Sequence, residues 1–422
     1  MIYVLILILI IGEWLLGRTL SVLDIRASRR PLPASVAGIY DHERYARQQE
    51  YMRANARFGW FSSTANMLLT ALFFALGGLG WLDGIVSRWA DAITSAWIYP
   101  AAMATVLFFT VISVATNIIG WPFAFYDTFV IEERFGFNKS TRLQFFRDML
   151  TNLLLTVVIT ALLGWALSSI YALIPDWFWL AALGVVLAFQ LFMGEFYSKL
   201  IVPLFNKQTP LPEGELRKAI ETFAAKVGFK VKGIYVMDAS RRTTKANAYF
   251  TGFGPQKRIV LYDTLIEQLT TDEIVAVLAH EIGHYKHRHT WLSLLSGAVQ
   301  QTIIFYLMNL CLSSQALAYA AGAAAPSFHV NMLMFSFIFT PANILLGIVD
   351  NILSRRHEYQ ADAFAANNGM ALPLISALKK ITAQAMGNLN PHPARVFIDY
   401  SHPTLAQRID KLGQTQTKKF KA

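Results

Sequence analysis

Long apolar stretches recur along this chain and dominate its pattern. A helix needs about 20 apolar residues to cross a ~30 Å hydrocarbon core. Among the stretches that are long enough, only the first has charged side chains, and it contains Glu13. Seven stretches qualify: residues 2–20, 60–81, 97–120, 149–173, 177–194, 291–317 and 330–349. The pattern predicts a polytopic, mostly α-helical membrane protein with seven transmembrane helices. The first stretch lacks a basic leading region, so we expect it to be retained as a span rather than cleaved as a signal.

The basic residues choose between the two possible orientations. Loops on one face, 21–59 and 121–148 with their flanks, are rich in Arg and Lys, whereas the loops on the other face contain only Arg88. Because such an excess marks the cytoplasmic side, the N-terminus is expected outside and the C-terminus inside, in a bacterial inner membrane or the endoplasmic reticulum. The basic residues that decide this are Arg18, Arg26, Arg29, Arg30, Arg44, Arg47, Arg53, Arg57, Arg134, Lys139, Arg142 and Arg147.

This topology divides the chain into four parts. Residues 1–194 form helices one to five with their cytosolic loops, and 291–349 form helices six and seven. The polar segments 195–290 and 350–422 then share the cytoplasmic side, so the chemistry of the protein is expected there.

Composition agrees with a membrane protein and excludes some sites. Hydrophobic residues make up 55% of the 422 positions and charged residues only 15%, whereas a soluble domain is about a quarter charged. Basic loops facing anionic lipid account for the net charge of +10, and no nucleic-acid partner is predicted. A single cysteine, Cys311, excludes a disulfide framework and a thiolate metal site within one chain.

The first polar segment has signals for both helix and strand. Residues 213–228 read as an amphipathic helix that ends at a glycine. Stretches 233–238, 247–254 and 258–263 are rich in β-branched and aromatic residues and predict a small sheet, expected as a meander. A further helix is expected to begin at a Thr271 cap and to continue through "LAHEIGHYKH".

That last helix contains a metal-binding pattern. His280 and His284 lie four positions apart, so on a helix both imidazoles reach one ion while Glu281 points towards the open coordination position. The alternative is a pair of histidines on a solvated helix beside the membrane, with no ligand. A catalytic zinc needs a third protein ligand and one position left for water.

The stretch "SRRHEYQADAFA" after the seventh span offers the third ligand. Glu358 is our candidate, and Asp362, again four positions on, would accept the outer N–H of a metal-bound histidine. An exposed acidic helix face is the alternative. His287 and His289 are weaker candidates and are expected at the membrane surface. Histidine and carboxylate ligands without thiolates favour zinc, one ion per chain.

These residues predict a hydrolytic mechanism. Glu281 is expected to take a proton from the attacking water and to pass it to the leaving amine. A further donor for the oxyanion is needed, and "YSHPTLAQRID" offers His402 and Arg408. On composition alone, those two residues are more often structural than catalytic.

At this point the chain resembles a known family, the integral-membrane zinc CAAX prenyl endopeptidases, which remove the last three residues of prenylated Cys-a-a-X peptides. The matching motifs run from about residue 30 to residue 412 together with the seven-span layout. They are "FVIEERFGFNKST", "PLFNKQTPLPEGEL", "NAYFTGFG…KRIVLYDTL", "LAHEIGHYKH", "SRRHEYQADAFA" and "SHPTLAQRI".

The resemblance implies a fold and a set of roles. The fold is a ring of membrane helices around a water-filled chamber, capped on the cytosolic side by the zinc domain. Zinc would be held by His280, His284 and Glu358, with Glu281 as the base and Asp362 behind the ligands. His402 would stabilise the tetrahedral intermediate, and Arg408 and Asn247 would bind substrate. An edge strand at Asn247 has its own rationale, because it can add an extended peptide to the sheet.

The expected activity is therefore membrane-embedded zinc endopeptidase activity on prenylated or otherwise membrane-associated peptides, with membrane lipid as a second partner. One alternative is a quality-control protease similar to the HtpX-like membrane metalloproteases, against which the seven spans and the "NAYFTGFG" signature argue. A non-catalytic scaffold or channel of the same fold is the other. The presence of Glu281 and of every expected ligand argues against it.

Overall fold

The computed structural model describes residues 1–93, 100–251 and 258–421, and side chains up to residue 415. Helices make up most of it. Those of the first half are α1 Ile2–Ala27, α2 His42–Ala75, α3 Gly78–Ile93, α4 Pro100–Tyr126, α5 Arg142–Leu173 and α6 Phe178–Leu200. Those of the second half are α7 Val202–Phe205, α8 Glu215–Lys226, α9 Asp263–Gln268, α10 Thr271–Lys286, α11 His289–Leu312, α12 Gln315–Ala320, α13 Phe328–Asn367, α14 Ala371–Gln384, α15 Pro393–Asp399 and α16 Leu405–Lys421.

The membrane part of the fold agrees with the prediction. Seven helical segments in the described residues are long and apolar enough to span a bilayer, so the protein is a multi-span integral membrane protein. They are Ile2–Ala27, His42–Ala75, Pro100–Glu132, Arg142–Leu173, Pro175–Phe205, His289–Leu312 and Phe328–Asn367.

Some span ends differ from those expected. The second apolar stretch was predicted to run to residue 81, but α2 ends at Ala75 and a new helix begins at Gly78. Gly77 between them has φ +70°, a left-handed conformation that glycine adopts easily and that ends a helix. The sixth span likewise ends at Leu312, before the short helix α12. Residues 97–99 of the third stretch lie outside the described residues.

Helix α13 joins the membrane to the polar domain. Its 40 residues correspond to about 60 Å at 1.5 Å per residue, roughly twice the hydrocarbon core. The apolar stretch 330–349 occupies its first part, and the same helix continues to Glu358 and Asp362. The candidate third ligand therefore lies on the same continuous helix as the seventh span.

A small mixed sheet lies in the polar domain. Its strands are β1 Gln208–Pro210, β2 Gly233–Met237, β3 Ala248–Thr251 and β4 Arg258–Tyr262, in the order β1-β2-β4-β3. Because β2 pairs with β4 in parallel, the expected meander is wrong. The apolar run Ile259, Val260 and Leu261 is fully buried, which favours a central position for β4 and leaves β3 at the edge. The strand expected over 247–254 is seen as far as Thr251, and residues 252–254 lie outside the described residues.

Helix α10 has a strong N-terminal cap and a buried body. The cap is Thr270, not Thr271 as expected, and it forms a capping box with Glu273. Glu273 also accepts from Ser376 and Lys380 on α14. Burial alone would raise the pKa of Glu273, but these hydrogen bonds hold it below its ordinary value. The helix is thus fixed at its cap, nearly three turns before His280.

Backbone and ionic contacts attach the polar domain to the loop before α5. Lys139 N donates to Arg242 O at 3.0 Å, and Thr244 N donates to Phe137 O at 3.2 Å. The Arg242 guanidinium forms two hydrogen bonds to Asp148 of α5, at 2.9 and 3.1 Å. Such bidentate contacts fix orientation as well as distance, so the sheet is held in one position above the membrane helices.

At the opposite end of the membrane helices, two backbones meet closely. Gly80 N in α3 donates to Ala321 O at 3.0 Å. A Cβ at Gly80 would lie 2.0 Å from Gly322 O, whereas one at Gly84 in the same helix would meet only the end of Arg88, at 3.9 Å. Only a glycine at position 80 allows this contact.

We therefore expect Gly80→Ala to lower stability by about 1–3 kcal/mol, the usual effect of overpacking. The melting temperature of the detergent-solubilised protein measures it. Gly84→Ala is the matched control and should be neutral or stabilising, since Ala favours a helix over Gly by about 1 kcal/mol. Equal melting temperatures for the two variants would contradict the close contact.

Candidate metal centre

Three side chains from two helices converge at the top of the membrane region. His280 and His284 come from α10 and Glu358 comes from α13. Their atoms are 3.2 Å apart for the two histidine Nε2 atoms, 3.5 Å for His280 Nε2 to Glu358 Oε2, and 3.2 Å for His284 Nε2 to Glu358 Oε1. Ligands about 2.0–2.1 Å from a tetrahedral ion lie about 3.3–3.4 Å from one another. The two distances to Glu358 involve different carboxylate oxygens, and each of the three separations is close to the distance between neighbouring ligands of such an ion.

The environment of Glu358 also fits a metal ligand. Its side chain is buried, and its Oε2 accepts no hydrogen bond from the described residues, although Arg408 Nη1 lies 3.4 Å away. Leaving a buried acceptor without a partner is costly. A cation between this oxygen and the two imidazoles would remove that cost.

Close packing of α10 on α13 makes the convergence possible. At the crossing, a Cβ on Gly283 would lie 2.9 Å from the Cα of Ala361 and 3.1 Å from Phe364 Cβ. Ala361 itself is fully buried. Two small residues thus let the backbones approach until side chains on the two helices can reach one ion.

A buried charged group stands behind His280. Asp362 Oδ1 lies 2.8 Å from His280 Nδ1, and Arg408 binds both oxygens of Asp362, at 2.6 and 2.9 Å. Burial would lower the pKa of His280, but the neighbouring carboxylates of Asp362 and Glu358 raise it to about 9. Burial would also lower the pKa of Arg408, but the hydrogen bonds and the negative charge of Asp362 outweigh burial and raise it. The carboxylates therefore favour positive charge at this position.

A second buried group stands behind His284, and sequence reasoning missed it. His289 Nδ1 lies 3.0 Å from His284 Nδ1, and His289 Nε2 lies 2.8 Å from Gln360 Oε1. His289 is 3% exposed and stacks on His357 with the ring centroids 4.0 Å apart. The expectation that His287 and His289 lie at the membrane surface stays a prediction; within the protein, His287 is exposed and His289 is buried. Its separation of five residues from His284 spans the end of α10, so helical spacing carried no signal for this contact.

The remaining expected residues fall at different distances from the ligands. Glu281 lies between them on α10, half-buried, and its charge helps to raise the pKa of Arg408. His402 Nε2 lies 3.4 Å from Glu358 Oε1 with a side chain that is 62% exposed. Arg408 is buried behind the ligands instead of facing open space.

Asn247 lies at the start of β3, apart from the metal-binding atoms. Its Oδ1 accepts from Ala248 N at 2.8 Å, and it lines a cavity of about 1090 Å³ below the sheet. Phe145 and Met149 of α5 and Met193 of α6 line the same cavity. The edge strand is thus beside a large space that membrane helices enclose.

Comparison with known proteins gives family matches over almost the whole chain. The model of the CAAX prenyl protease N-terminal domain, with five membrane helices, matches residues 22–207, and the model of peptidase family M48 matches residues 210–416. The two matches meet between α7 and β1, where the polar domain begins.

Individual relatives agree with these matches. The CAAX prenyl protease 1 homolog of Oryza sativa is 34% identical over 94% of each chain. The Saccharomyces cerevisiae CAAX prenyl protease 1 is 31% identical over 93% of this chain and 91% of its own. The crystal structure of S. mikatae Ste24p superposes with a TM-score of 0.91 at 29% identity, covering 98% of this chain and 99% of that one.

Proposed function

Because the chain belongs to the CAAX prenyl protease 1 family of membrane metalloproteases, we propose that it hydrolyses peptide bonds near the C-terminus of prenylated peptides, with one zinc ion held by His280, His284 and Glu358. The observation that carries this proposal is the three-atom cluster on two helices, one of which continues into the membrane. Two nitrogens and one oxygen suit zinc and leave a fourth position for solvent.

When bound, zinc supplies Lewis-acid chemistry, which activates water at neutral pH and polarises the scissile carbonyl. Glu281 acts as the general base that receives a proton from the attacking water, and it returns that proton to the leaving amine. Its half-buried position beside both histidine ligands supports this role.

The groups behind the ligands position them. Asp362 accepts the Nδ1 proton of His280, and Arg408 holds Asp362 in place with two hydrogen bonds. His289 accepts the Nδ1 proton of His284 and donates from Nε2 to Gln360. Each contact leaves the Nε2 lone pair of the ligand free for the metal. For Arg408, burial favours this positioning role over the direct substrate contact that the sequence suggested.

Substrate binds along β3, in the cavity beneath the sheet. Among the described strands, β3 pairs only with β4, so its other edge is free to add an extended peptide. Asn247 holds the peptide backbone at the start of this strand. The exposed His402, beside Glu358, donates to the oxyanion. Apolar side chains opposite β3, such as Phe145 and Met193, receive the lipid of the substrate.

A lipid-bearing substrate explains why the centre lies close to the membrane. The apolar chain stays in or near the bilayer while the scissile bond is a few residues away. Helix α13 places Glu358 on the continuation of a membrane span, so the metal lies within reach of the interface.

We further propose that the peptidase domain faces the cytoplasm, with the N-terminus outside, in a bacterial inner membrane or the endoplasmic reticulum. The excess of Arg and Lys in loops 21–59 and 121–148 supports this orientation. An epitope after residue 422 should resist protease in sealed vesicles whose cytoplasmic face is inside, and become cleavable after detergent. Cleavage in intact vesicles would contradict the orientation.

Removal of metal-binding groups should weaken zinc binding in a graded way. Glu358→Ala should lower the zinc content well below one per chain, because a ligand is lost. His289→Leu should weaken affinity by about 10–100-fold, the usual effect of removing a group behind a ligand. His289→Asn, which keeps an acceptor, should lose less. Affinity is measured by competition with a chromophoric chelator.

The exposed His287→Leu is the control for the same loop and should bind zinc as the wild type does. Unchanged zinc stoichiometry in Glu358→Ala would show that another group completes the coordination sphere. Equal affinities for His289→Leu and His287→Leu would remove the proposed role of His289.

The decisive assay of function compares a farnesylated Cys-a-a-X peptide with its unprenylated twin. We expect kcat/KM at least ten-fold higher for the farnesylated peptide, and loss of cleavage with a zinc chelator. Glu281→Gln should keep its zinc and lose about 10²–10⁴-fold in rate, the range for general acid–base catalysis. Equal cleavage of the twins would reject prenyl selectivity and favour quality-control proteolysis, and normal turnover in Glu281→Gln would remove its role as base.

A further inference from the structure

A second cavity, of about 840 Å³, lies at the ends of α5 and α6, next to the sheet. None of the metal-binding residues and none of the proposed catalytic residues lines it. The first turns of α5, the segment from α6 to β1, and strands β2 and β4 form its walls. We call it the basic pocket, because its lining is strongly positive.

Cations far outnumber carboxylates in the basic pocket. Among the described residues that line it, Asp148 is the only acidic one, against six cationic ones. Three of the six have carboxylate partners: Arg242 with Asp148, Lys199 with Glu195 and Arg241 with Asp238. The cationic residues are Arg147, Lys199, Lys207, Arg241, Arg242 and Arg258.

Three positive charges therefore remain uncompensated. Within the described part of the chain, Arg147, Lys207 and Arg258 form no ion pair with a carboxylate. Arg147 and Lys207 are exposed, and Arg258 lies over the ring of Tyr235, 5.0 Å from its centroid. Like charges gathered in one cavity repel one another, and an anionic ligand would offset this repulsion.

The Arg242–Asp148 ion pair lies where the basic pocket adjoins the substrate cavity, and both residues line both cavities. Arg147, Lys207 and Arg258, by contrast, line the basic pocket and not the substrate cavity. That placement favours a ligand other than the peptide.

Apolar residues at the opening indicate what kind of anion the pocket takes. Leu143 is 82% exposed and Leu204 is 48% exposed, and both line the pocket beside its cations. They lie at the ends of membrane-spanning segments. At the level where membrane helices end, the positive side chains can bind the phosphate headgroup of a lipid. The exposed leucines beside them can contact its acyl chains. Basic pockets between membrane helices bind anionic headgroups in this way.

We propose that the basic pocket binds the phosphate headgroup of an anionic phospholipid of the surrounding leaflet, through Arg147, Lys207 and Arg258. The lipid thereby contacts α5, α6 and the sheet at once, and it ties the peptidase domain to the membrane surface. This inference does not depend on the identity of the peptide substrate.

Lipid binding to the purified protein tests the proposal. The probe is soluble dihexanoyl phosphatidylglycerol, with dihexanoyl phosphatidylcholine as the zwitterionic comparison, and binding is followed by native mass spectrometry and by the shift in melting temperature. Each cation near an anionic headgroup contributes about 1 kcal/mol, or about five-fold in affinity. The triple variant Arg147→Gln, Lys207→Gln, Arg258→Gln should therefore bind phosphatidylglycerol at least ten-fold more weakly.

The control is Arg29→Gln, Arg30→Gln, Arg47→Gln, which removes the same charge from exposed positions elsewhere and should bind as the wild type does. The single variants Arg147→Gln and Lys207→Gln, both at exposed sites, keep the test valid if the triple variant unfolds, and each should lose about five-fold. Equal losses in the triple variant and the control would overturn the proposal.

Two competitors distinguish other sources of the anion. Inorganic phosphate that binds as tightly as the lipid would overturn the assignment to a headgroup and leave a phosphate site. A short peptide that displaces the lipid with its free carboxylate, but not as its amide, would assign the pocket to the substrate instead. Failure of both competitors, with selective loss in the triple variant, supports the lipid.

Discussion

The crossing of α10 and α13 is the contact on which the rest of the structure depends. Gly283 and Ala361 have small side chains or none at the crossing point, so the two helices approach closely. Imidazoles on one helix then come within 3.2–3.5 Å of a carboxylate on the other. A larger side chain at either position would separate the two halves of the cluster. The candidate metal centre thus depends on two small residues as well as on the side chains that form it.

The charge arrangement behind the cluster follows from that contact. Three acidic or basic groups, Glu358, Asp362 and Arg408, are buried together, and each would be costly if it stood alone. Arg408 offsets Asp362 with two hydrogen bonds, whereas Glu358 keeps an oxygen without a hydrogen-bond partner. A buried carboxylate oxygen without a hydrogen-bond donor, next to a carboxylate that has two, is expected where a cation binds.

The fold connects this centre to the bilayer in two ways. Helix α13 is both a candidate membrane span and the support of Glu358. The sheet is attached separately, through the loop before α5 and the Arg242–Asp148 pair. Helices α5 and α6 line the cavity under β3. Strand β3 and the helices of the candidate metal centre are thus both connected to the membrane helices.

Local features of the chain were readable because they depend on neighbours in sequence. Hydrophobic length predicted the seven spans, and the spacing of His280, Glu281 and His284 predicted a metal-binding face, since a helix repeats every 3.6 residues. Glu358 and Asp362 were found as a second pair at the same spacing. The presence of a small sheet also followed from strand signals, whereas the role expected of Asn247 came from the family resemblance.

Contacts between distant segments were decided by the tertiary structure alone. The parallel pairing of β2 with β4 depends on which strand buries both faces, and alternation within each strand does not contain that information. His289 contacts both His284 and Gln360 only because α11 starts beside α13. Arg408 faces inward because it forms two hydrogen bonds to Asp362 there. The sequence by itself therefore determined most of the helices and strands and which side chains are candidate metal ligands. Packing decided which of them meet, because the energy of a buried contact depends on both partners and on the water that they exclude.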